Sequence, residues 1–289
     1  MILGIDAGGT STSFVMYDEA GEIVLTHKDK TMHFMTVGFD GITQRLTDFV
    51  NVLKDKEIRA GDLFVVIGMA GYGEDLKIRE KIEASVFKVF PQAIIMNDAH
   101  FAHISALNNQ DGVLVISGTG SIAFHKKNNE FSRKGGFGYL IDDGGSGFWI
   151  GKQILRTFSR QIDGQIPKTR LYFEMKDQLK LSNDYDIIAL VSGLGNEYRN
   201  WVADLAGMMS DVNDKYLENI YQSAGVELAN MVNSIDVHET TNVAVYGSVL
   251  KHNSLVYESF NDNLKDAFKI VNQSHDVEYA AYLLYKENN

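Results

Sequence analysis

Apolar and polar residues alternate with two different periods along this chain, and each period predicts a different kind of element. Apolar runs in ILGIDA, SFVMY and EIVLTH, separated by glycine-containing turns, predict three strands at the start. Helical spacing follows, and its apolar residues are Ile42, Leu46, Phe49, Val50 and Leu53. Beyond it we predict a strand at LFVVIG, a helix that Pro91 closes, a short buried strand at 93–97 and a helix over 98–107.

The pattern of the first two strands returns near the middle of the chain. VLVISGTGSIAF, residues 113–124, has the same order of features as ILGIDAGGTSTSF, residues 2–14. Both have an apolar run, a polar residue, a turn with glycine and threonine, hydroxyl residues and a second strand, which amounts to a weak internal repeat. After it, helices are predicted as far as Val232, and a last strand at 242–247 precedes two helices.

Each half therefore opens with strands and continues with alternating helices and strands. This order predicts two related α/β domains. The chain has only two prolines and no Pro- or Ser-rich linker. We expect the domains to be joined closely, with a ligand-binding cleft between them.

Composition limits the classes of function. A chain of 289 residues with 45% hydrophobic content can bury a large core. The net charge is −11 and no Lys/Arg block occurs, so we expect no binding to nucleic acid. The absence of cysteine excludes disulfides, thiolate metal sites, iron–sulfur ligation and thiol catalysis. No apolar run could span a bilayer and no leader pattern opens the sequence, so we expect a cytoplasmic protein without a membrane partner.

The turn of the first hairpin has the composition of an anion site. Glycines let a ligand approach the backbone, whose N–H groups can hold phosphate oxygens, and hydroxyls add donors. Asp6 precedes the turn, and a single carboxylate suits a hydrated Mg²⁺. A tight hairpin alone would explain the glycines, although not an acid with four hydroxyls. The candidate ligand-binding residues here are Gly8, Gly9, Thr10, Ser11 and Thr12.

The turn of the second hairpin, at 117–121, has the same make-up. Two such turns, each at the start of a repeated unit, favour a pair of phosphate-binding hairpins facing one cleft. The sequence contains neither GxxxxGK[ST] nor GxGxxG, so a nucleotide would be bound by another architecture. The candidates in this turn are Gly118, Thr119 and Gly120.

Asp98 follows the short buried strand and has two interpretations. It could cap the next helix, which is a common role for aspartate. Alternatively, it could lie at the carboxyl end of the strand and accept a proton from a substrate hydroxyl during phosphoryl transfer.

The densest glycine region is GGFGYLIDDGGSGFWIG, residues 135–151. Its glycines alternate with four aromatic residues, which is unusual for a solvated loop. Backbone groups at glycines, aromatic faces and a carboxylate together suit a sugar. A mobile surface loop or a structural aromatic cluster remains an alternative.

Taken in order, these motifs resemble those of one family. The chain is similar to sugar kinases of the actin/hexokinase/heat-shock-cognate superfamily, and within it to the branch of N-acetylglucosamine kinases and BadF-type ATPases. DAGGTST resembles the first phosphate hairpin, SGTGS the second, and NDA the motif of the catalytic aspartate. The glycine region resembles the signature GGWGxxxGDEGSxxWIG, and GSVLKH stands at the adenosine-loop motif.

The resemblance implies a fold and its ligands. The fold would be two duplicated ribonuclease-H-like domains of the actin-like ATPase type, each a mixed five-stranded sheet flanked by helices, with an ATP cleft between them. The domains would comprise residues 1–111 and 112–275, and a helix at 276–289 would pack back on the first. ATP and Mg²⁺ would be the cofactors, a sugar the substrate, and the chain could form a homodimer.

The same resemblance gives each matching position a role. Asp98 would be the general base and would touch the sugar, and Asp6 would hold Mg²⁺ through water. Thr10 and Thr119 would contact ATP phosphates. The sugar pocket would contain Ser121, Gly136, Phe137, Gly138 and Asp143, and the adenosine would lie against Gly247 and Ser248.

The sequence departs from the family at three positions. The family's GGW is GGF here, and its glutamate after the sugar-binding aspartate is Gly144. The N-acetylglucosamine kinases also carry a sugar-binding asparagine near residue 32, where this chain has Met32, which cannot donate and accept as an amide does. The branch also contains iron–sulfur activators of dehydratases, a role that the lack of cysteine excludes.

We therefore predict an ATP-dependent kinase that phosphorylates a hydroxyl, by resemblance the one at C6, of an amino sugar. N-acetylglucosamine, glucosamine and a muramic-type sugar are all open as the acceptor. One alternative is a catalytically weak regulator that binds ATP or sugar, which the departures would explain. Another is an ATPase that drives a conformational change in a partner.

Overall fold

The chain folds into two units, each with its own sheet and its own apolar core. The computed structural model describes residues 1–73, 75–128, 130–272 and 275–288. The first unit consists of Met1–Gln110 together with Gln273–Asn289, and the second of Asp111–Asn272. The first unit is therefore assembled from two separate segments of chain, whereas the second is continuous.

The elements alternate much as the apolar pattern predicts. The strands are β1 (Ile2–Ala7), β2 (Ser11–Tyr17), β3 (Ile23–Lys30), β4 (Phe64–Met69), β5 (Ile94–Asn97), β6 (Gly112–Ser117), β7 (Ser121–Lys127), β8 (Glu130–Gly135), β9 (Thr241–Tyr246) and β10 (Phe268–Ile270). The helices are α1 (Phe34–Lys54), α2 (Leu76–Phe87), α3 (Asp98–Ala106), α4 (Gly147–Ile162), α5 (Arg170–Gln178), α6 (Asp186–Ser192), α7 (Tyr198–Met208), α8 (Lys215–Asn233), α9 (Ser248–His252), α10 (Ser254–Asp262) and α11 (Ala280–Asn288). Short 3₁₀ turns lie at Ala60–Asp62, Gly195–Glu197 and Val277–Tyr279.

The sheet of the first unit has the strand order β3-β2-β1-β4-β5. Pairing is antiparallel from β1 through β2 to β3, because short turns join these strands. It is parallel from β1 through β4 to β5, where helices provide the crossovers. β1 is central and every residue in it except Asp6 is buried, which explains its nearly continuous apolar sequence.

The sheet of the second unit repeats this plan. Its order is β10-β9-β6-β7-β8, with an antiparallel β6-β7-β8 meander and parallel β6-β9-β10 pairs. Numbered within its own unit, each sheet therefore has the order 3-2-1-4-5. The prediction of an α/β chain with duplicated, mixed five-stranded sheets is confirmed.

The helices bury the faces that helical spacing predicts. In α1, Ile42, Leu46, Phe49 and Leu53 are buried, and Val50 is partly buried beside them. In the second unit, α4 and α8 supply much of the core, including the large buried ring of Phe158 on α4. Removing these apolar faces from water is the main favourable contribution to folding.

Two strands differ from the sequence-based expectation. The strand at 242–247 is not the last one, because β10 follows α10 and pairs with β9. The apolar pattern also gives no sign of β8, whose residues are mostly exposed at the edge of the sheet. Over the ranges that the structure describes, none of the helices combines the length and apolar character needed to cross a membrane.

Candidate functional site

The turn of the first hairpin is open. β1 ends at Ala7 and β2 begins at Ser11, and Gly9, Thr10 and Ser11 are exposed between them. No described atom lies within 4 Å of the position that a Cβ would take on Gly9. The Thr31 hydroxyl donates to the Gly8 carbonyl at 2.8 Å and fixes one side of the turn. The turn thus leaves backbone N–H groups accessible to an anion.

Thr12 does not share this exposure. It pairs with Ala7 across the hairpin, so both side chains lie on one face of the sheet, and the neighbouring Asp6–Ser13 pair faces the other way. Only 1% of Thr12 is exposed, and its hydroxyl is buried without a hydrogen-bond partner among the described residues. Thr12 is thus buried, whereas Thr10 and Ser11 are exposed at the turn.

Asp6 lies in a group of carboxylates within the first unit. Burial raises its pKa from 3.8 to about 7, and the negative charges of Glu278 and Asp98 add to the effect. Glu278 belongs to the 3₁₀ turn Val277–Tyr279, which packs on β1, and is itself buried. The C-terminal segment therefore brings an acid to Asp6 that no local sequence pattern indicates.

Asp98 is the first residue of α3, directly after β5. The cap of this helix is Asn97, whose side chain accepts a hydrogen bond from the Ala99 N–H at 2.9 Å, and the Asp98 carboxylate shares the same donor at 3.0 Å. Burial raises the pKa of Asp98, while the backbone N–H groups and His33 oppose the rise. A half-buried carboxylate with a raised pKa at the end of a strand suits a general base.

Met32 stands where the resemblance to N-acetylglucosamine kinases implies a sugar-binding asparagine. Met32 is fully buried in the core of the first unit, so its side chain is a packing element. The next residue, His33, caps α1 by accepting the Met35 N–H at 3.2 Å and interacts electrostatically with Asp98. The imidazole of His33 therefore acts on Asp98, the candidate general base, although no sequence motif identified His33.

The second hairpin is held by the glycine-rich segment and by α4. The Ser117 hydroxyl donates to the Gly145 carbonyl and the Ser121 hydroxyl to the Gly144 carbonyl, both at 2.8 Å. The carbonyls of Gly118 and Thr119 accept the N–H groups of the first two residues of α4, at 2.7 and 3.2 Å. These bonds fix the shape of the turn, and the Ser121 oxygen keeps acceptor capacity for a ligand.

A pocket of about 280 Å³ opens beside this hairpin within the second unit. Gly118, Thr119 and Ser248 line it together with residues of α7. Gly247 precedes Ser248 with φ +97°, and it packs so closely on the Ser117 backbone that a Cβ would overlap with it. Glycine thus allows the start of α9 to approach the hairpin. The pocket is lined by two of the predicted phosphate residues, Gly118 and Thr119, and by one predicted adenosine residue, Ser248.

The predicted sugar-binding residues of the glycine-rich segment differ in their exposure to solvent. Phe137 is 59% exposed, whereas Asp143 is only 6% exposed. Gly136 donates its N–H to the Ser121 carbonyl at 3.1 Å, and Gly138 forms a β-bridge with Asp142. Burial raises the pKa of Asp143, while the Ser146 hydroxyl and Arg199 oppose the rise. The Oδ2 atom of Asp143 is buried and has no partner in the described part of the chain.

Arg199, near the start of α7, completes this cluster, and the sequence motifs did not identify it. Its Nη2 lies 3.0 Å from the position that a Cβ would take on Gly120. Its guanidinium carbon lies 5.5 Å from the centre of the Tyr139 ring. The fold brings this cation to the second hairpin from a distant part of the sequence.

The donor set of the first unit is compatible with a hydrated magnesium ion. The described residues contain no group of three or more His, Cys, Asp or Glu side chains arranged to hold a metal. Mg²⁺ commonly binds through one or two carboxylates and several waters. A cation beside Asp6 would offset the burial and the repulsion by Glu278 and Asp98 that raise its pKa.

The two equivalent sheets, each opening with a glycine-rich hairpin, define an actin-like ATPase fold. Comparison with known proteins then identifies the family. The model of the BadF/BadG/BcrA/BcrD ATPase family matches residues 3–283, and the chain belongs to this family.

Individual relatives cover most of the chain. An N-acetyl-D-glucosamine kinase from Dictyostelium discoideum is 26% identical, with 98% of this chain and 97% of the relative covered. An N-acetylmuramic acid/N-acetylglucosamine kinase from Clostridium acetobutylicum is 29% identical over 76% of each chain. The structure of a candidate N-acetylglucosamine kinase from Chromobacterium violaceum covers 98% of both chains with a TM-score of 0.74 at 18% identity, which bears on the fold alone.

Proposed function

We propose that this protein is an ATP-dependent kinase that phosphorylates an amino sugar. The observation that carries the proposal is the half-buried Asp98 carboxylate with its raised pKa at the end of β5. A carboxylate in this position can accept a proton from an attacking hydroxyl during phosphoryl transfer. The two relatives described above, which cover 98% and 76% of this chain and are both named as sugar kinases, support the same reaction.

In the proposed reaction the hairpin of each unit has a role in binding the nucleotide. Gly118, Thr119 and Gly120 bind phosphate oxygens, and the adenosine lies in the second-unit pocket against Gly247 and Ser248. In the first unit, the exposed turn formed by Gly8, Gly9, Thr10 and Ser11 contributes further N–H and hydroxyl donors. The burial of the Thr12 hydroxyl argues against direct phosphate contact, and we assign Thr12 a supporting position under the turn.

Asp6 is the residue that we expect to hold Mg²⁺, through water. The ion would supply charge neutralisation at the phosphates. The buried carboxylate itself is ionised more readily with a cation nearby, because the cation offsets desolvation and the charges of Glu278 and Asp98.

Asp98 then acts as the general base. It accepts the proton of the attacking sugar hydroxyl, which we assign to C6, as the oxygen–phosphorus bond forms. Burial raises the pKa of this carboxylate, and the electrostatic interaction with His33 opposes that rise and favours the ionised form that accepts a proton.

The sugar is proposed to bind at the glycine-rich segment of the second unit. Asp143 offers an unpartnered carboxylate oxygen to a sugar hydroxyl, and Phe137 offers an exposed ring to an apolar sugar face. Gly136, Gly138 and Ser121 supply backbone and hydroxyl groups. Since Met32 and His33 replace the family's asparagine, we expect an acceptor range that differs from that of N-acetylglucosamine kinases and includes glucosamine or muramic-type sugars. The use of ATP favours a cytoplasmic location.

A panel of acceptors tests the function directly. The protein is incubated with Mg-ATP and, separately, N-acetylglucosamine, glucosamine, N-acetylmuramic acid, glucose and no sugar, and ADP release is followed by a coupled assay. We expect ADP release that depends on at least one amino sugar, with the phosphosugar identified by mass spectrometry. ADP release that is independent of every sugar, and rises when a protein partner is added, would contradict the kinase assignment and favour a partner-driving ATPase.

A further inference from the structure

Helix α7 forms one wall of the second-unit pocket. Ala203 and Gly207 line the pocket, and Ser210 follows just beyond the end of the helix. Arg199 precedes Ala203 by four residues, so it shares the same face of α7, about one turn toward the N-terminus. Because the Nη2 of Arg199 lies against Gly120, the N-terminal end of α7 lies beside the turn of the second hairpin.

The charge of Arg199 is not neutralised by a direct partner. No ion pair involving this guanidinium occurs within the described ranges, and its Nε is buried without a hydrogen bond there. Asp143 interacts with it electrostatically, without a direct pair. The residue also lies in the first turn of α7, where the helix dipole disfavours a cation. A half-buried cation in such surroundings is stabilised by a bound anion.

From this geometry we infer that Arg199 is a phosphate-binding residue that holds the terminal phosphate of the nucleotide in the second-unit pocket. The inference rests on the proposed use of ATP. A guanidinium presents a fork of N–H donors that can bind two phosphate oxygens at once. Ser248 and the turn residues Gly118 and Thr119 line the pocket, and Arg199 lies just beyond them at Gly120, so the guanidinium is placed for the end of a phosphate chain that leaves the pocket along the turn.

The role of Arg199 in transfer follows from this position. The sugar oxygen forms a bond to the terminal phosphorus as the bond from that phosphorus to the bridging oxygen of ADP breaks, and the hydroxyl proton passes to Asp98. Arg199 donates to the equatorial oxygens of the transferring group, where negative charge is spread. The ring centre of its neighbour Tyr139 lies 5.5 Å from the guanidinium carbon, within the range of a cation–π interaction.

Nucleotide binding without sugar tests the inference. Wild type, Arg199→Gln and Arg199→Lys are titrated calorimetrically with Mg-ADP and with the magnesium complex of a non-hydrolysable ATP analogue. In Arg199→Gln we expect an unchanged Kd for ADP and roughly 10- to 100-fold weaker binding of the triphosphate analogue, as for a lost charge-assisted hydrogen bond. Arg199→Lys keeps the positive charge but lacks the forked donors, so its Kd for the triphosphate analogue should lie between those of wild type and Arg199→Gln.

Arg156→Gln is the matched control, because it removes an exposed arginine from α4 of the same unit. It should leave both affinities unchanged, and thermal unfolding checks that all variants fold. Equal losses for ADP and the triphosphate analogue in Arg199→Gln, or no loss for either, would overturn the inference. When the same variants are assayed with the acceptor panel, a loss confined to the KM of N-acetylmuramic acid would also overturn the inference, since Arg199 would then bind the sugar carboxylate. If wild type phosphorylates no sugar but the triphosphate-selective loss is seen, the sugar kinase proposal fails and the role of Arg199 stands.

Discussion

Replacing Asp6 by asparagine measures how much the buried, negatively charged Asp6 reduces the stability of the first unit. The pKa of Asp6 is raised from 3.8 to about 7 in the folded protein. Between these values the folded state keeps a proton that the unfolded chain has released, so stability falls as pH rises through this window. The full shift of about three pKa units corresponds to roughly 4 kcal/mol at 1.36 kcal/mol per unit, and about 2–3 kcal/mol of it develops between pH 5 and pH 8.

Asparagine carries no charge that burial would penalise, so the substitution removes the pH dependence of stability that Asp6 causes. We therefore expect Asp6→Asn to be stabilised relative to wild type by roughly 2–3 kcal/mol more at about pH 8 than at about pH 5, in the presence of a chelator. The matched control is Asp40→Asn, an exposed aspartate of the same unit, which should show no such trend. Excess Mg²⁺ should reduce the advantage of the variant, because the cation offsets the cost in wild type alone.

The choice of probe matters for this measurement. Both tryptophans, Trp149 and Trp201, lie in the second unit, so tryptophan fluorescence reports on the wrong part of the molecule. Hydrogen exchange of peptides that contain β1, followed by mass spectrometry, reports on the first unit itself. A difference between Asp6→Asn and wild type that is the same at both pH values would refute the electrostatic explanation.

Three further substitutions test the site. Asp98→Asn should lower kcat roughly 10²–10⁴-fold and leave nucleotide affinity unchanged in calorimetry, and near-normal turnover would remove Asp98 from the role of base. Asp143→Ala should raise the KM for the sugar far more than that for ATP, and equal effects on both would argue against a place in the sugar pocket. Gly247→Ala should destabilise the second unit by at least about 1 kcal/mol in urea unfolding followed by tryptophan fluorescence, because its φ is +97° and a Cβ would meet the Ser117 backbone; unchanged stability would show that this approach can relax.

The sequence predicts elements well where burial determines them. β1, β4 and β6 are central strands with continuous apolar runs, and α1 has a regular buried face, so their periods are visible locally. β8 and β10 lack this signal, because β8 is a polar edge strand and β10 has only three residues. β8 forms by pairing with its neighbour in sequence, β7, and β10 by pairing with β9 across α9 and α10, so both depend on a partner strand more than on an apolar pattern of their own.

The site shows the same division. The glycine turns at Gly8 and Gly118 are local motifs, and their composition indicates them directly. Arg199, Glu278 and His33 act through neighbours that the fold supplies, so neither their spacing nor their type distinguishes them in the sequence. Thr12 is the opposite case, since it lies within a motif but strand alternation turns it toward the core.

The division of the first unit between the two ends of the chain has a consequence for synthesis. β1 is synthesised before the second unit, but the 3₁₀ turn that packs on it, Val277–Tyr279, is synthesised after that unit. The Ser105 hydroxyl likewise waits for the Asp276 carbonyl, to which it donates at 2.6 Å. The continuous second unit holds all of its own strands and helices without that segment, so we expect a released chain that ends at residue 272 to resist protease in the second unit only.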